Sequence, residues 1–281
     1  MTANEAAFAA FTEAIGRVRD DEDDILLAAA RLPQYADPDC DPQAVLDTVH
    51  KWSRQLRGRI APDAAPLARL RLLNFFFFDE LGFRGNEADY YNADNSYLHR
   101  VIGNRCGIPI SLAVLYLDLG HTIGLRLHGI NFPAHFLVGL ALPRGAAIID
   151  VFARGATLDA EDLRRRLRTS TSIAPAQPLE NFLRPIGGRD VLARMLRNLK
   201  GIHVRNEEWP LLLEVQNRLV ALLPDNAEER RDRALAFDKL ECPRAAADDL
   251  SAYLAMQPRP PDAQAVRRRL RQLQQAVKQL N

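Results

Sequence analysis

The chain has almost no net charge, few cysteines and no long apolar run. Its 37 lysines and arginines face 36 acidic residues over 281 positions, a formal charge of +1. A protein that grips a phosphate backbone or an anionic bilayer needs basic excess on at least one face, so neither nucleic acid nor membrane is expected as a partner. The three cysteines, Cys40, Cys106 and Cys242, are odd in number and far apart, with no C-x-x-C pair. That pattern excludes a zinc clasp or a disulfide framework as the organising feature and fits a reducing compartment. His99, His121 and His128 lack metal-ligand spacing, so neither metal nor cofactor is expected. The longest apolar stretches, such as Ile108 to Leu119, fall short of a membrane span. Glu5, Glu13 and the acidic run Asp20 to Asp24 interrupt any secretory-type leader. A cytoplasmic location is the expectation.

What is present is enough apolar material for a sizeable core: 47% hydrophobic against 26% charged residues. Phe8, Phe11, Ile15 and Val18 recur at helical spacing, and the acidic run supplies negative charge at the start of the next helix, Ile25 to Leu32. Pro33, Pro38 and Pro42 break the chain before helices over Ala44–Arg57 and Leu67–Leu81, the latter closing at Gly82, a residue suited to a left-handed cap. Between Gly82 and Ser96 the composition shifts to Gly, Asn and Asp with interleaved aromatics, the signature of an ordered loop whose side chains bond their own backbone. A short helix over Tyr97–Gly103 follows. Pro109 is then placed to open a nearly all-apolar, hence buried, helix over Ile110–Ile123.

Strand-like runs at Arg126–Ile130, His135–Leu142 and Ala146–Val151 come next, and Leu158–Leu167 returns to helix. Helices followed by consecutive strands predict an α+β plan with an antiparallel sheet. After a polar, proline-bearing linker at Thr169–Pro178, the chain becomes helical and repetitive: Pro224 and Pro258 lie 34 residues apart, the period of tetratricopeptide helix pairs. Ala234, Ala236 and Ala245 to Ala247 are small where helices must approach closely, and Arg267, Arg268, Arg269, Arg271 and Lys278 read as the solvated face of a capping helix over Ala263–Leu280. The expected division is 1–185, with a helical part over 1–81 and a core over 82–168, followed by repeats over 186–281.

Cys106, His135 and Asp150 carry the candidate chemistry. A cysteine near a helix start, a histidine to act as base and acid, and a carboxylate to orient the ring are the parts of an acyl-transfer site. From spacing alone the three are equally compatible with a buried thiol and a structural histidine–aspartate pair. The same openness holds for Asn86, Asp89, Tyr90, Tyr91, Asn95 and Ser96: a self-satisfied brace, or one wall of a cleft. Arg84 and Arg105 read as partners in buried ion pairs.

The segments Gly82-Phe83-Arg84-Gly85-Asn86, Tyr90-Tyr91, Asn95-Ser96-Tyr97-Leu98, Arg105, Gly107-Ile108-Pro109-Ile110-Ser111-Leu112, His135-Phe136-Leu137, and Asp150 with Phe152 resemble the SirB-type family of transglutaminase-like proteins with C-terminal tetratricopeptide repeats. The resemblance covers nearly the whole chain. It implies a transglutaminase-like (papain-like) domain with N-terminal helices and an antiparallel sheet, followed by an all-α tetratricopeptide-like domain. Laid on the pattern of related enzymes, it puts Pro109 at the nucleophile position, with Cys106 three residues earlier. Two other departures are Ala134, where glycine is usual before the histidine, and Asp150-Val151-Phe152-Ala153-Arg154-Gly155, where Asp-Pro-Phe followed by Asn-Gly is usual. The resulting expectation is a vestigial, non-catalytic module whose cleft and repeats bind a protein or peptide, with Arg84, Asn86, Tyr90, Tyr91, Asn95, Ser96, Arg105, Pro109 and Phe152 around the cleft. The alternative is a cysteine-dependent amidase, peptidase or acyl-transferase using Cys106, His135 and Asp150. Either way, the ring of His135 and the carboxylate of Asp150 are expected to meet across adjacent strands.

Overall fold

A computed structural model describes residues 2–18, 25–169 and 177–279. The acidic run Asp20 to Asp24, most of the Thr169–Pro178 linker and Leu280 lie outside the described residues. The chain forms two compact units, Glu13–Met195 and Met1–Thr12 with Leu196–Asn281.

In the larger unit, helices α2 (Leu26–Arg31), α3 (Pro42–Arg57) and α4 (Pro66–Asn74) precede the core, α1 (Ala3–Arg17) having begun in the other unit. Asp41 caps α3 by accepting the Gln43 N–H at 2.8 Å, and Pro42 occupies the first turn, where a missing N–H costs nothing. The helix expected over Leu67–Leu81 is in fact two pieces, because α4 widens into a π-helix over Phe75–Glu80. The Leu81 N–H reaches back five residues to the Phe76 carbonyl at 2.9 Å. The wider turn lets Phe76, Phe77 and Phe78 all be buried, with Phe77 stacked on Phe83 at 4.5 Å. Gly82, at φ +75°, ends the element.

Helix α6 (Pro109–Thr122) is the buried spine, with the side chains from Pro109 to Leu117 all out of solvent. Each fully buried Leu or Ile there contributes about 1.5–3 kcal/mol relative to exposure. Ser111 Oγ accepts the Ile108 N–H at 3.1 Å and donates to the Asn95 carbonyl at 2.5 Å, tying the helix start to the preceding loop. Beside it, β1 (Arg84–Gly85) and β2 (Cys106–Gly107) form a short parallel ladder in which Arg84 faces Cys106 and Gly85 faces Gly107. Helix α5 (Leu98–Asn104) connects the two regions.

The main sheet is antiparallel, in the order β6-β5-β4-β3-β7. Its strands are β3 (Leu127–Ile130), β4 (Leu137–Ala141), β5 (Ala146–Asp150), β6 (Ala156–Leu158) and β7 (Pro185–Ile186). The strand expected to open at His135 starts two residues later. The strands β6 and β7 carry too little periodicity to be read in the sequence. Helix α7 (Ala160–Thr169) buries Leu163 against Ile130, Phe132 and Leu137. Sequence alone put a boundary after residue 185. The pairing of Pro185 with Ile130 and of Ile186 with Gly129 instead ties this segment to the sheet, and the compact units divide at Met195.

Helices α9 (Trp209–Leu222), α10 (Ala227–Lys239), α11 (Pro243–Met256) and α12 (Ala263–Gln279) follow α8 (Gly188–Arg205). Ala234, Ala236, Ala246 and Ala247 are buried where these helices meet, so the small side chains set the approach distance. A two-pronged Arg233–Asp249 pair, both contacts at 2.7 Å, links α10 to α11. Arg269 lies on the solvated face as expected, and from there it also binds Asp238 at 2.6 and 2.8 Å, tying α12 to α10. Among the described residues no helix is long and apolar enough to cross a membrane.

Candidate functional site

The site begins with an aspartate at the end of a strand. Leaving β5, the chain turns so that Asp150 Oδ1 accepts the backbone N–H of Phe152 at 3.0 Å and of Ala153 at 3.1 Å, an Asx turn fixing both the carboxylate and the following ring. The turn closes when the Gly155 N–H reaches the Asp150 carbonyl at 2.9 Å. On the neighbouring strand, the tight corner before β4 is held by the His135 N–H on the Phe132 carbonyl at 3.0 Å. From these two corners the side chains meet: His135 Nε2 lies 3.0 Å from Asp150 Oδ1.

The carboxylate is almost wholly buried, its side chain 2% exposed against 18% for the His135 ring. Burial pushes the Asp150 acid up. The His135 hydrogen bond, the Arg166 guanidinium and the Ala153 N–H together outweigh that and hold it below the ordinary carboxylate range. Arg166, 2.7 Å from Oδ2, comes from α7 and was missed in the sequence. It stands in an arginine-rich run (Arg164, Arg165, Arg166, Arg168) whose other members face solvent, and its only signal is that it follows buried Leu163 by three residues.

Phe152 connects this dyad to the rest of the site. Its ring meets His135 edge-on at 6.1 Å and Tyr90 at 6.1 Å, and Tyr90 in turn meets Tyr91 at 5.3 Å. It also lies flush on Gly85, where an added Cβ would sit 2.5 Å from the ring, so any larger residue there would have to displace Phe152. The contacts therefore run from His135 through Phe152 to the β1–β2 ladder that holds Cys106. Burial pushes the Tyr90 hydroxyl up, while Tyr91 remains open to solvent.

The expected cleft residues separate into four groups. Tyr90, Tyr91, Phe152 and His135 form a half-open aromatic wall. Asn86, Asn95 and Ser96 do not line it. Asn95 is buried, donating to the Asp89 carbonyl at 2.6 Å and accepting from Asn86 Nδ2 at 2.9 Å, while Asn86 Oδ1 takes the Asp89 N–H at 3.0 Å. These groups are spent inside the loop, which presents the two tyrosines, and Ser96 is fully buried. Pro109 is buried at the first turn of α6. Among the described residues the arginines do not form the expected buried ion pairs. Arg84 is exposed, and Arg105 stacks on Trp52 at 4.7 Å and Phe83 at 5.1 Å, where burial lowers its proton affinity.

Cys106 is half-buried in β2, upstream of α6, and among the described residues no hydrogen bond joins its sulfur to His135. Of the departures from the family pattern, two residues fall on left-handed backbone, Ala134 at φ 56° and Arg154 at φ 54°. Arg154 is anchored there by Asp79 at 2.6 Å and by the face of Phe78 at 5.7 Å. Among the described residues no group of three or more His, Cys, Asp or Glu side chains is placed to hold a metal.

The pattern of the transglutaminase-like superfamily matches residues 43–197, and that of the tetratricopeptide repeat matches residues 199–271. A UPF0162 protein of Xylella fastidiosa (strain 9a5c) is 34% identical over 244 residues, 85% of this chain and 86% of its own. Protein SirB1 of Salmonella typhimurium is 27% identical over 227 residues, covering 80% and 83%. Human F-box only protein 21 is 28% identical over 242 residues, 74% of this chain but 37% of its own. No solved structure matches. With both domain patterns in order and kinship over most of its length, the chain belongs to the transglutaminase-like superfamily, among the SirB-type proteins with C-terminal tetratricopeptide repeats.

Proposed function

We propose that this chain is a non-catalytic, regulatory module that binds a protein or peptide, using the wall formed by Tyr90, Tyr91, Phe152 and His135 as its recognition surface. What supports this reading is the His135–Asp150 pair, made at 3.0 Å, together with buried Pro109 in the helix turn where a thiolate would gain from the N-terminal dipole and, among the described residues, the lack of a hydrogen bond from Cys106 to His135. Exposed aromatic surface beside a fixed imidazole suits a peptide, because rings give contact area at little entropic cost and the imidazole gives a directional hydrogen bond. The repeats offer a second surface, since stacked helix pairs commonly bind segments of other proteins. The partner would be met in the cytoplasm.

The test is selection of displayed peptides on the full chain, followed by affinity measurement on variants. Selected peptides are expected to lose about tenfold or more in affinity, about 1.4 kcal/mol, with His135→Ala or Tyr90→Ala, and to bind Cys106→Ala unchanged. Peptides turned over by the protein, or binding indifferent to both variants, overturn this reading.

One observation favours the second reading, a cysteine-dependent amidase, peptidase or acyl-transferase using Cys106, His135 and Asp150. The carboxylate sits on Nε2, which leaves Nδ1 as the nitrogen able to act as a base. That reading requires rapid, selective alkylation of Cys106 by iodoacetamide at pH 6. Inertness is the expected result.

A further inference from the structure

The four oxygen contacts of Asp150 are of two kinds. Oδ1 takes three hydrogen-bond donors, His135 Nε2 and the N–H groups of Phe152 and Ala153, whereas Oδ2 takes one full cation, Arg166, at 2.7 Å. A buried carboxylate needs a counter-charge, and an imidazolium or a guanidinium would serve equally. Arginine stays charged at every relevant pH. With Arg166 in place, a second cation on His135 would leave surplus positive charge on a carboxylate only 2% exposed. Of the other charges near this corner, Arg154 pairs with Asp79, Arg165 pairs with Asp162, and Arg194 of α8 acts on the Tyr90 hydroxyl. Because Asp150 only accepts, the proton of an uncharged ring belongs on Nε2 and the lone pair on Nδ1. Among the described residues His135 Nδ1 has no hydrogen-bond partner.

Building on the reading of this cleft as a binding site, we propose that Arg166 is a positioning residue: it supplies the counter-charge of Asp150, keeps the His135 ring uncharged, and so presents Nδ1 as an acceptor for an N–H or O–H donor of the ligand. For a peptide, that donor is a backbone amide or a side-chain hydroxyl. Helix α7 thus sets the chemical character of the site through Arg166.

The test is nitrogen-15 NMR of the histidine rings in the full chain without ligand, so its outcome is independent of whether any peptide binds. Wild-type protein at pH 7.5 is expected to show His135 protonated on Nε2 alone. In Arg166→Met the ring takes over as counter-charge, and its proton affinity rises about tenfold or more. Arg166→Lys restores most of the wild-type behaviour, and His99 serves as an unaffected internal reference. A ring protonated on Nδ1 in wild-type protein, or a His135 titration that is the same in Arg166→Met as in wild type, overturns the proposal. Should Arg166→Met fail to fold, the wild-type protonation pattern still decides, because an imidazolium or an Nδ1–H ring there is fatal to it.

Discussion

Two histidine–aspartate pairs among the described residues of the larger unit have nearly equal length, and they differ in almost everything else. His135 and Asp150 meet at 3.0 Å, and His99 and Asp37 at 3.1 Å. Their rings are equally exposed, at 18% and 19%. Asp150, however, is buried and backed by two backbone N–H groups and Arg166, whereas Asp37 is 26% exposed and shared with Arg100 on the surface. The far nitrogens differ in the opposite sense. Among the described residues, His99 Nδ1 is buried without a hydrogen-bond partner and its ring stacks on Tyr97, while His135 Nδ1 on the cleft side is likewise unengaged. A contact distance therefore says little about chemistry. The burial of the acid and the accessibility of the second nitrogen distinguish a poised pair from a structural one.

The sharpest way to break this contrast is to remove each acid. Asp150→Ala strands a histidine, an arginine and two backbone donors and is expected to cost about 3 kcal/mol in urea denaturation. Asp37→Ala, at a partly solvated pair, is expected to cost about 1 kcal/mol or less. Equal losses would erase the distinction. Next in size is Gly85→Ala, whose Cβ would lie 2.5 Å from the Phe152 ring. Displacing that ring is expected to cost about 1–3 kcal/mol and to shift the His135 NMR signals while leaving those of His99 in place.

Acid titration of stability separates the pairs further. Burial lowers the proton affinity of His99, so the unfolded chain takes up that proton first. Stability from this group is whole above the ordinary imidazole value of about 6.5 and declines as pH falls from there through the folded value. Asp150 is also depressed in the folded state. Its contribution is whole above the ordinary carboxylate value of about 3.9 and disappears as pH falls below that. His99→Gln is expected to flatten the upper limb only, and Asp150→Asn the lower one, in denaturation curves from pH 7 to pH 3. The smallest effect is at Ala134, whose φ of 56° is left-handed. Ala134→Gly is expected to stabilise by about 0.5 kcal/mol, relief of backbone strain partly offset by glycine's greater entropy loss on folding.

How much of this was legible beforehand follows from the range of the interactions. The buried helix announced itself through an unbroken apolar stretch with Pro109 at its head, and His135 and Asp150 stood out through residue type and order. Whether Asn95 faces a ligand or its own loop was undecidable from composition, because an amide serves both. Arg166 was hidden among like neighbours. Which arginine of that run turns inward depends on how α7 crosses the sheet, a contact between segments read separately. The π-helix escaped for a related reason: its registry is set by what three consecutive phenylalanines must bury, and the local pattern reads as ordinary helix.

The smallest strand has a practical consequence. Pro185 and Ile186 complete the sheet against β3, and two residues later α8 begins and runs without a break to Arg205. A fragment ending near residue 185 would leave Gly129 and Ile130 as a raw edge, open to pairing with another chain. Anyone dissecting the two parts of this protein should therefore expect sticky, aggregating material from the shorter cut and carry the first fragment through Arg205.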